Sequence, residues 1–185
     1  MPRSFGDTAG YAHVEPQKLN TVSTFLRRTA ADAQVFALEA HGNQKYGDRP
    51  YSYHLERVAA LAERFAPEEF KQQAVMVSWL HDVVEDTPIS LDAIVAAFGR
   101  TIALAVRDLS SPAGESQDEQ CSRLSDAFVL AKFVKACDLT SNMAACVQDL
   151  NESYLKGYAS NLPKSQAALG ESLSDELLSS CNVAT

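Results

Sequence analysis

Apolar residues recur along most of this chain at intervals of three and four, the spacing of one face of an α-helix, and almost nowhere in strict alternation. The pattern predicts helices over about 20–41, 52–65, 68–84, 90–98, 100–109 and 120–149, then more weakly patterned ones over about 151–160 and 164–180. Ser90, between Thr87–Pro88 and Leu91–Asp92, has the chemistry of a helix start. Gly99 and Pro112–Gly114 punctuate the middle, and Pro163 is placed to open the last helix at its first turn. The stretch Ser110–Gln120 (SSPAGESQDEQ) is polar and reads as a mobile loop. No alternating run is long enough to demand a sheet, and there is no internal repeat or low-complexity segment. The expected fold is all-α: a single domain over 1–185, with its core over about 25–150 and a helical extension over about 151–182.

Composition narrows the function more than the fold. A chain of 185 residues buries ~70% of its unfolded surface, enough for a full core. Hydrophobic residues at 46% and charged residues at 22% fit a globular domain and exclude disordered, collagen-like and membrane-embedded classes. A formal charge of −8 speaks against coating nucleic acid. A phosphate-rich ligand would need a local positive centre against that field, and a bound metal supplies one. No segment approaches the ~20 consecutive apolar residues of a membrane-spanning helix. The stretch MPRSFGDTAGYAHVEP has no apolar run of signal-peptide length. Cys121, Cys137, Cys146 and Cys181 form no CxxC pair and read as reduced thiols, so the expected location is cytoplasmic. The oligomeric state is left open, with the weakly patterned tail after Pro163 available to pack on a partner.

The chemistry gathers on three helices. In the third, Ala74, Val75, Met76, Val77, Trp79, Leu80, Val83 and Val84 cover nearly every face, as in a buried central helix. Yet it runs into His81–Asp82 and then Glu85–Asp86, polar groups that are costly there unless paired, hydrogen-bonded or on a metal. His81 and Glu85, like Asp82 and Asp86, stand four apart and form two stacked pairs. Carboxylates are disfavoured at the negative end of a helix dipole, so something positive is expected beside them. In the second helix His54 lies on the inward side with Val58 and Leu61. In the last long helix an apolar run from Phe128 to Cys137 leads into Asp138, with Asn142 one turn further on the same face. Alone, His54 reads as a core residue and Asp138 as a cap. Together, the imidazoles of His54 and His81 and the carboxylates of Asp82 and Asp138 make a mixed N/O set suited to Mn²⁺, Fe²⁺ or Zn²⁺. Two carboxylates cancel the charge of one dication, and Glu85 and Asp86, one turn on, are placed to orient or deprotonate a water.

The succession His54, His81–Asp82, Asp138 resembles the H…HD…D signature of HD-type metal phosphohydrolases. More closely, PYSYH (50–54), LHDVVEDT (80–87) and KACDLTSN (135–142) resemble PYxxH, LHDxxED(T) and KxxDxxxN of the RelA/SpoT hydrolase domain. AHGNQ (40–44) and Ala97–Phe98–Gly99 resemble the AHxxQ and FG of the same domain. The likeness spans about 25–150, and the length resembles that of stand-alone small alarmone hydrolases. It implies an HD-domain helical bundle and a Mn²⁺-dependent hydrolase that removes the 3′-pyrophosphate of (p)ppGpp or (p)ppApp. Carried over by position, His54, His81, Asp82 and Asp138 hold the metal and Glu85 and Asp86 activate water. Asn142 contacts the nucleotide and Lys45 meets phosphate. In the mechanism this suggests, Lys45, with Lys135 or Arg49, neutralises charge on the leaving pyrophosphate. Tyr154 and Tyr158 are candidates to stack on the base.

Two positions depart from the family pattern. The segment before Pro50–Tyr51 (Gln44–Arg49) is one residue short and lacks an Arg–Lys pair, and Leu139 stands where an Arg usually follows the third metal ligand. Both bear on the substrate rather than the reaction. They keep in view an HD-type phosphohydrolase of a nucleoside monophosphate or NADPH, while the complete set of ligands speaks against an inactive nucleotide-binding regulator.

Overall fold

The computed structural model describes residues 28–149 and 151–170. Its order is α1 (Ala30–His41), β1 (Lys45–Tyr46), β2 (Arg49–Pro50), α2 (Ser52–Phe65), α3 (Lys71–Leu80), α4 (Val83–Asp86), α5 (Leu91–Phe98), α6 (Arg100–Leu109), α7 (Gln117–Ser125), α8 (Val129–Gln148) and α9 (Glu152–Leu169). The all-α expectation holds. The exception among the described residues is a two-stranded antiparallel hairpin, pairing Lys45 with Pro50 and Tyr46 with Arg49, too short for periodicity to reveal. Gly47 takes φ 60° at its turn, a conformation that penalises side chains with a Cβ.

Helix α3 sits at the centre because its apolar residues leave no face for water. Every residue from Ala74 to Leu80 is buried, and α1, α2, α6 and α8 surround it. Leu55 and Val58 from α2, Val77 and Leu80 from α3, Val106 from α6 and Val134 from α8 are among the fully buried side chains of this core. The flanking helices start where local chemistry satisfies their free N–H groups. Thr29 and Asp32 form a capping box on α1, Ser116 and Glu119 another on α7, and the Ser90 side chain accepts from the Ala93 amide as anticipated.

The structure corrects four boundaries. The stretch 68–84 is not one helix: α3 ends at Leu80, and the ring of His81 donates from Nδ1 to the Ser78 carbonyl at 2.8 Å. In a continuous helix that carbonyl would take the amide of Asp82. The stretch 120–149 is divided at Asp126–Phe128, where Lys132 Nζ donates to the Ser125 carbonyl at 2.7 Å and satisfies the end of α7. The polar stretch Ser110–Gln120 is half helical, because the capping box starts α7 at Gln117. Pro163 lies inside α9 rather than at its start. It removes one ladder bond, yet Ser165, Ala168 and Leu169 beyond it are buried and carry the helix through. The outer bounds shift as well: α1 begins at Ala30 behind the extended Thr29 cap rather than near 20, and α9 ends at Leu169 with Gly170 at φ 86° rather than running on to 180. Residues 20–27 and 171–180, and Cys181, lie outside the described residues.

Candidate metal centre and active site

Three segments deliver the site. His54 comes from the first turn of α2, His81 and Asp82 from the break between α3 and α4, and Asp138 from the middle of α8. His54 Nε2 lies 3.3 Å from His81 Nε2 and 3.3 Å from Asp138 Oδ1. Asp82 Oδ2 is 3.0 Å from His81 Nε2 and 3.5 Å from His54 Nε2. Ligand atoms of His54, His81 and Asp82 all fall within 4.8 Å of one another, and Asp138 closes the group against both rings, 3.8 Å from His81 Nε2.

The donor chemistry fits a divalent cation. The bond from His81 Nδ1 to Ser78 leaves its Nε2 lone pair facing the cluster in the neutral ring. His54 Nδ1 is buried without a hydrogen-bond partner, so the polar function of that ring is concentrated at Nε2. Two ring nitrogens and two carboxylates aimed at one point form an attractive arrangement only around positive charge. The field says the same. Burial opposes the charged form of His54, yet bonds to Asp138 and Asp82 outweigh it and raise its pKa to about 9. Burial likewise opposes the Asp138 carboxylate, and Lys135 and the two imidazoles still hold it well below the usual carboxylate range.

A second set of groups orients these side chains. Tyr51 donates its hydroxyl to Asp82 Oδ2 at 2.6 Å. Asn142 Nδ2 and Lys135 Nζ donate to the two oxygens of Asp138 at 2.7 and 2.8 Å. Tyr46 donates to Asn142 Oδ1 at 2.7 Å and stacks on the His54 ring, 5.0 Å between centroids. Of the expected acid–base pair, Glu85 accepts the Ser111 backbone N–H at 2.7 Å. Asp86 accepts from Gln44 Nε2 at 2.9 Å, and His41 Nδ1 is 2.8 Å from the other end of that amide. Partial burial shifts the Glu85 carboxyl upward from its ordinary value, the Ser111 amide works against this, and the nearby charges of Asp82 and Asp86 add to it. That is the direction a general base needs.

The expected substrate contacts divide. Lys135 and Asn142 stand in the cluster. Arg49 is drawn aside, paired with both oxygens of Asp149 at 2.7 and 3.1 Å, its guanidinium 4.5 Å from the Tyr53 ring centroid. Lys45 is exposed on β1. A cavity of about 330 Å³ between α7, α8 and α9 opens on Lys135 and Asp138. Another of about 310 Å³ lies on the hairpin side, lined by Tyr46, Gly47 and Asp149. Asn142, Tyr154 and Tyr158 line both.

Tyr51, Tyr46, Gln44, His41 and Ser111 carried no assigned role in the sequence reading. Tyr51 had a signal, since it stands three residues before His54 at the head of the same helix. Ser111 had none: it meets Glu85 across 26 positions.

No family model matches the chain. The guanosine-3′,5′-bis(diphosphate) 3′-pyrophosphohydrolase MESH1 of Danio rerio is 30% identical over 131 residues, covering 67% of this chain and 70% of that protein. A solved structure, described as a metazoan ortholog of SpoT that hydrolyzes ppGpp, superposes with a TM-score of 0.59 at 23% identity, covering 82% of this chain and 94% of that one. The structural likeness shows the HD-domain fold, and the sequence relationship places this chain in the MESH1 family of stand-alone HD-type alarmone hydrolases.

Proposed function

We propose that the protein hydrolyses the 3′-pyrophosphate of a purine alarmone, (p)ppGpp or (p)ppApp, to a nucleoside 5′-phosphate form and pyrophosphate. The observation that carries this is the convergence of His54, His81, Asp82 and Asp138 beside Glu85 and Asp86, in a chain related to an enzyme named for that activity. A divalent cation held by the four ligands, Mn²⁺ with Fe²⁺ and Zn²⁺ accepted by the same donors, supplies Lewis acidity and lowers the pKa of water.

The chain's own groups do the rest. Glu85 takes the proton from the attacking water, and Asp86, held by Gln44, aligns that water. Lys135 meets charge developing on the pyrophosphate beside Asp138. Asn142, between the two cavities, reads the nucleotide, and Tyr158 and Tyr154 offer ring faces to the base. Lys45 meets the outer phosphates. Arg49 joins it only by releasing Asp149.

That constraint on Arg49, with Leu139 in the position of the family's arginine, favours a second reading: the same hydrolysis on a nucleoside monophosphate or NADPH. Incubation with Mn²⁺ and ppGpp, ppApp, nucleoside monophosphates or NADPH, with Asp82→Ala alongside, separates the two. Metal-dependent pyrophosphate release from a 3′-diphosphate supports the proposal. Orthophosphate release from a monophosphate or NADPH, with both alarmones intact, overturns it.

A further inference from the structure

The segment Ser110–Ser116, the non-helical part of the stretch Ser110–Gln120 that in sequence reads as a mobile loop, is fastened at several points. Arg123 on α7 grips both carboxylate oxygens of Glu115 through Nε and Nη2, at 2.7 Å each, and its Nη1 reaches the Asp108 carbonyl. The Glu115 amide closes a turn on the Pro112 carbonyl at 3.0 Å. Gln120 Nε2 donates to Ser111 Oγ at 2.7 Å, and the Ser110 amide and hydroxyl both return to the Val106 carbonyl, finishing α6. The Glu115 side chain is 8% exposed and that of Arg123 26%, so the ion pair is partly sheltered from solvent. What these bonds present to the site is a single donor, the Ser111 N–H, 2.7 Å from Glu85 Oε2.

An acidic side chain on a short helix has several open rotamers, and only some aim its oxygens at a reacting water. A charge-assisted bond from a fixed backbone amide selects among them. We propose that Arg123 is a positioning residue for hydrolysis: through Glu115 it locks the 110–116 segment so that the Ser111 amide aims the Glu85 carboxylate. This rests on the role of Glu85 proposed above. The bidentate grip makes the residue type matter, because lysine carries the charge but not the fork.

The test uses the full chain and pairs kinetics with amide exchange. Ser111→Pro removes the N–H together with the hydroxyl that Gln120 holds, and Ser111→Ala removes the hydroxyl alone, so the difference between the two reads the N–H. Ser110, at φ −73° and ψ 125°, already has the extended backbone that a following proline favours. Ser111→Pro and Arg123→Lys are expected to lower kcat roughly tenfold or more while KM stays within about twofold. Ser111→Ala keeps the N–H and is expected to retain most of kcat. By NMR, the Ser111 amide is expected to exchange slowly in the parent protein and quickly in Glu85→Ala and Arg123→Lys. Parental kcat in folded Ser111→Pro and Arg123→Lys overturns the proposal, as does fast Ser111 exchange in the parent. If Ser111→Pro does not fold, the exchange measurements and Arg123→Lys decide. A parent that turns over neither alarmone while its Ser111 amide is slow, and is released by Glu85→Ala and Arg123→Lys, refutes the substrate reading and upholds the strut.

Discussion

His54 and His81 bring their Nε2 atoms to 3.3 Å, a contact that two neutral lone pairs would avoid, and the two nearby carboxylates supply the opposite charge. Each side chain therefore has a separable role. Asp82→Ala is expected to lose metal and turnover together, read by metal analysis of purified protein beside a rate assay. Glu85→Ala is expected to keep its metal while turnover falls at least ~100-fold, the usual loss of a general base. Comparable loss of metal in that variant would instead make Glu85 a ligand. Tyr51→Phe removes one hydroxyl from Asp82, and groups that orient a ligand usually contribute ~10–100-fold to metal affinity. A Mn²⁺ titration of Tyr51→Phe that matches the parent would remove that role. The four residues were legible because buried polar residues on apolar helices stand out. Their partners were less so: the Ser78 carbonyl that orients His81 is a backbone atom, and no pattern of side chains reveals it.

Periodicity located most helices at the level of elements and misplaced the boundaries that depend on side chains folding back on the backbone. His81 on Ser78 ends α3 and Lys132 on Ser125 ends α7, and both are short-range bonds available only once the chain has turned. The first break matters for chemistry, because it separates the segment bearing Glu85 and Asp86 from α3 and lets each meet a partner from elsewhere, Ser111 and Gln44. Pro163 was misread for the opposite reason: tertiary packing overrode a local helix breaker. Replacing it with Ala restores an amide to the α9 ladder and is expected to stabilise the protein by roughly 1–3 kcal/mol, less than the intrinsic helix penalty because proline also restricts the unfolded chain. Urea unfolding would show this as a higher midpoint. An unchanged or lower midpoint would mean that the proline is accommodated without strain.

Across the whole molecule, the cluster joins α2, the α3–α4 break and α8, elements far apart in sequence, so a bound cation cross-links the fold. A metal at about 100 times its Kd adds roughly 2.7 kcal/mol, so chelation is expected to lower the melting temperature by about 5–10 °C for a chain of this size. Asp82→Ala should show no such drop, and an equal drop there would place the stabilising metal elsewhere. The sequence by itself determined the all-α class and the buried central helix, and it marked His54, His81, Asp82 and Asp138 as polar residues out of place on apolar helices, because helical spacing and apolar runs are local properties of the chain. Only the tertiary structure decided that the 110–116 segment is fastened, that Arg49 is held by Asp149, and that two cavities meet at Asn142. Those features depend on which side chains of distant segments come within hydrogen-bonding reach, and the packing of helices sets that distance.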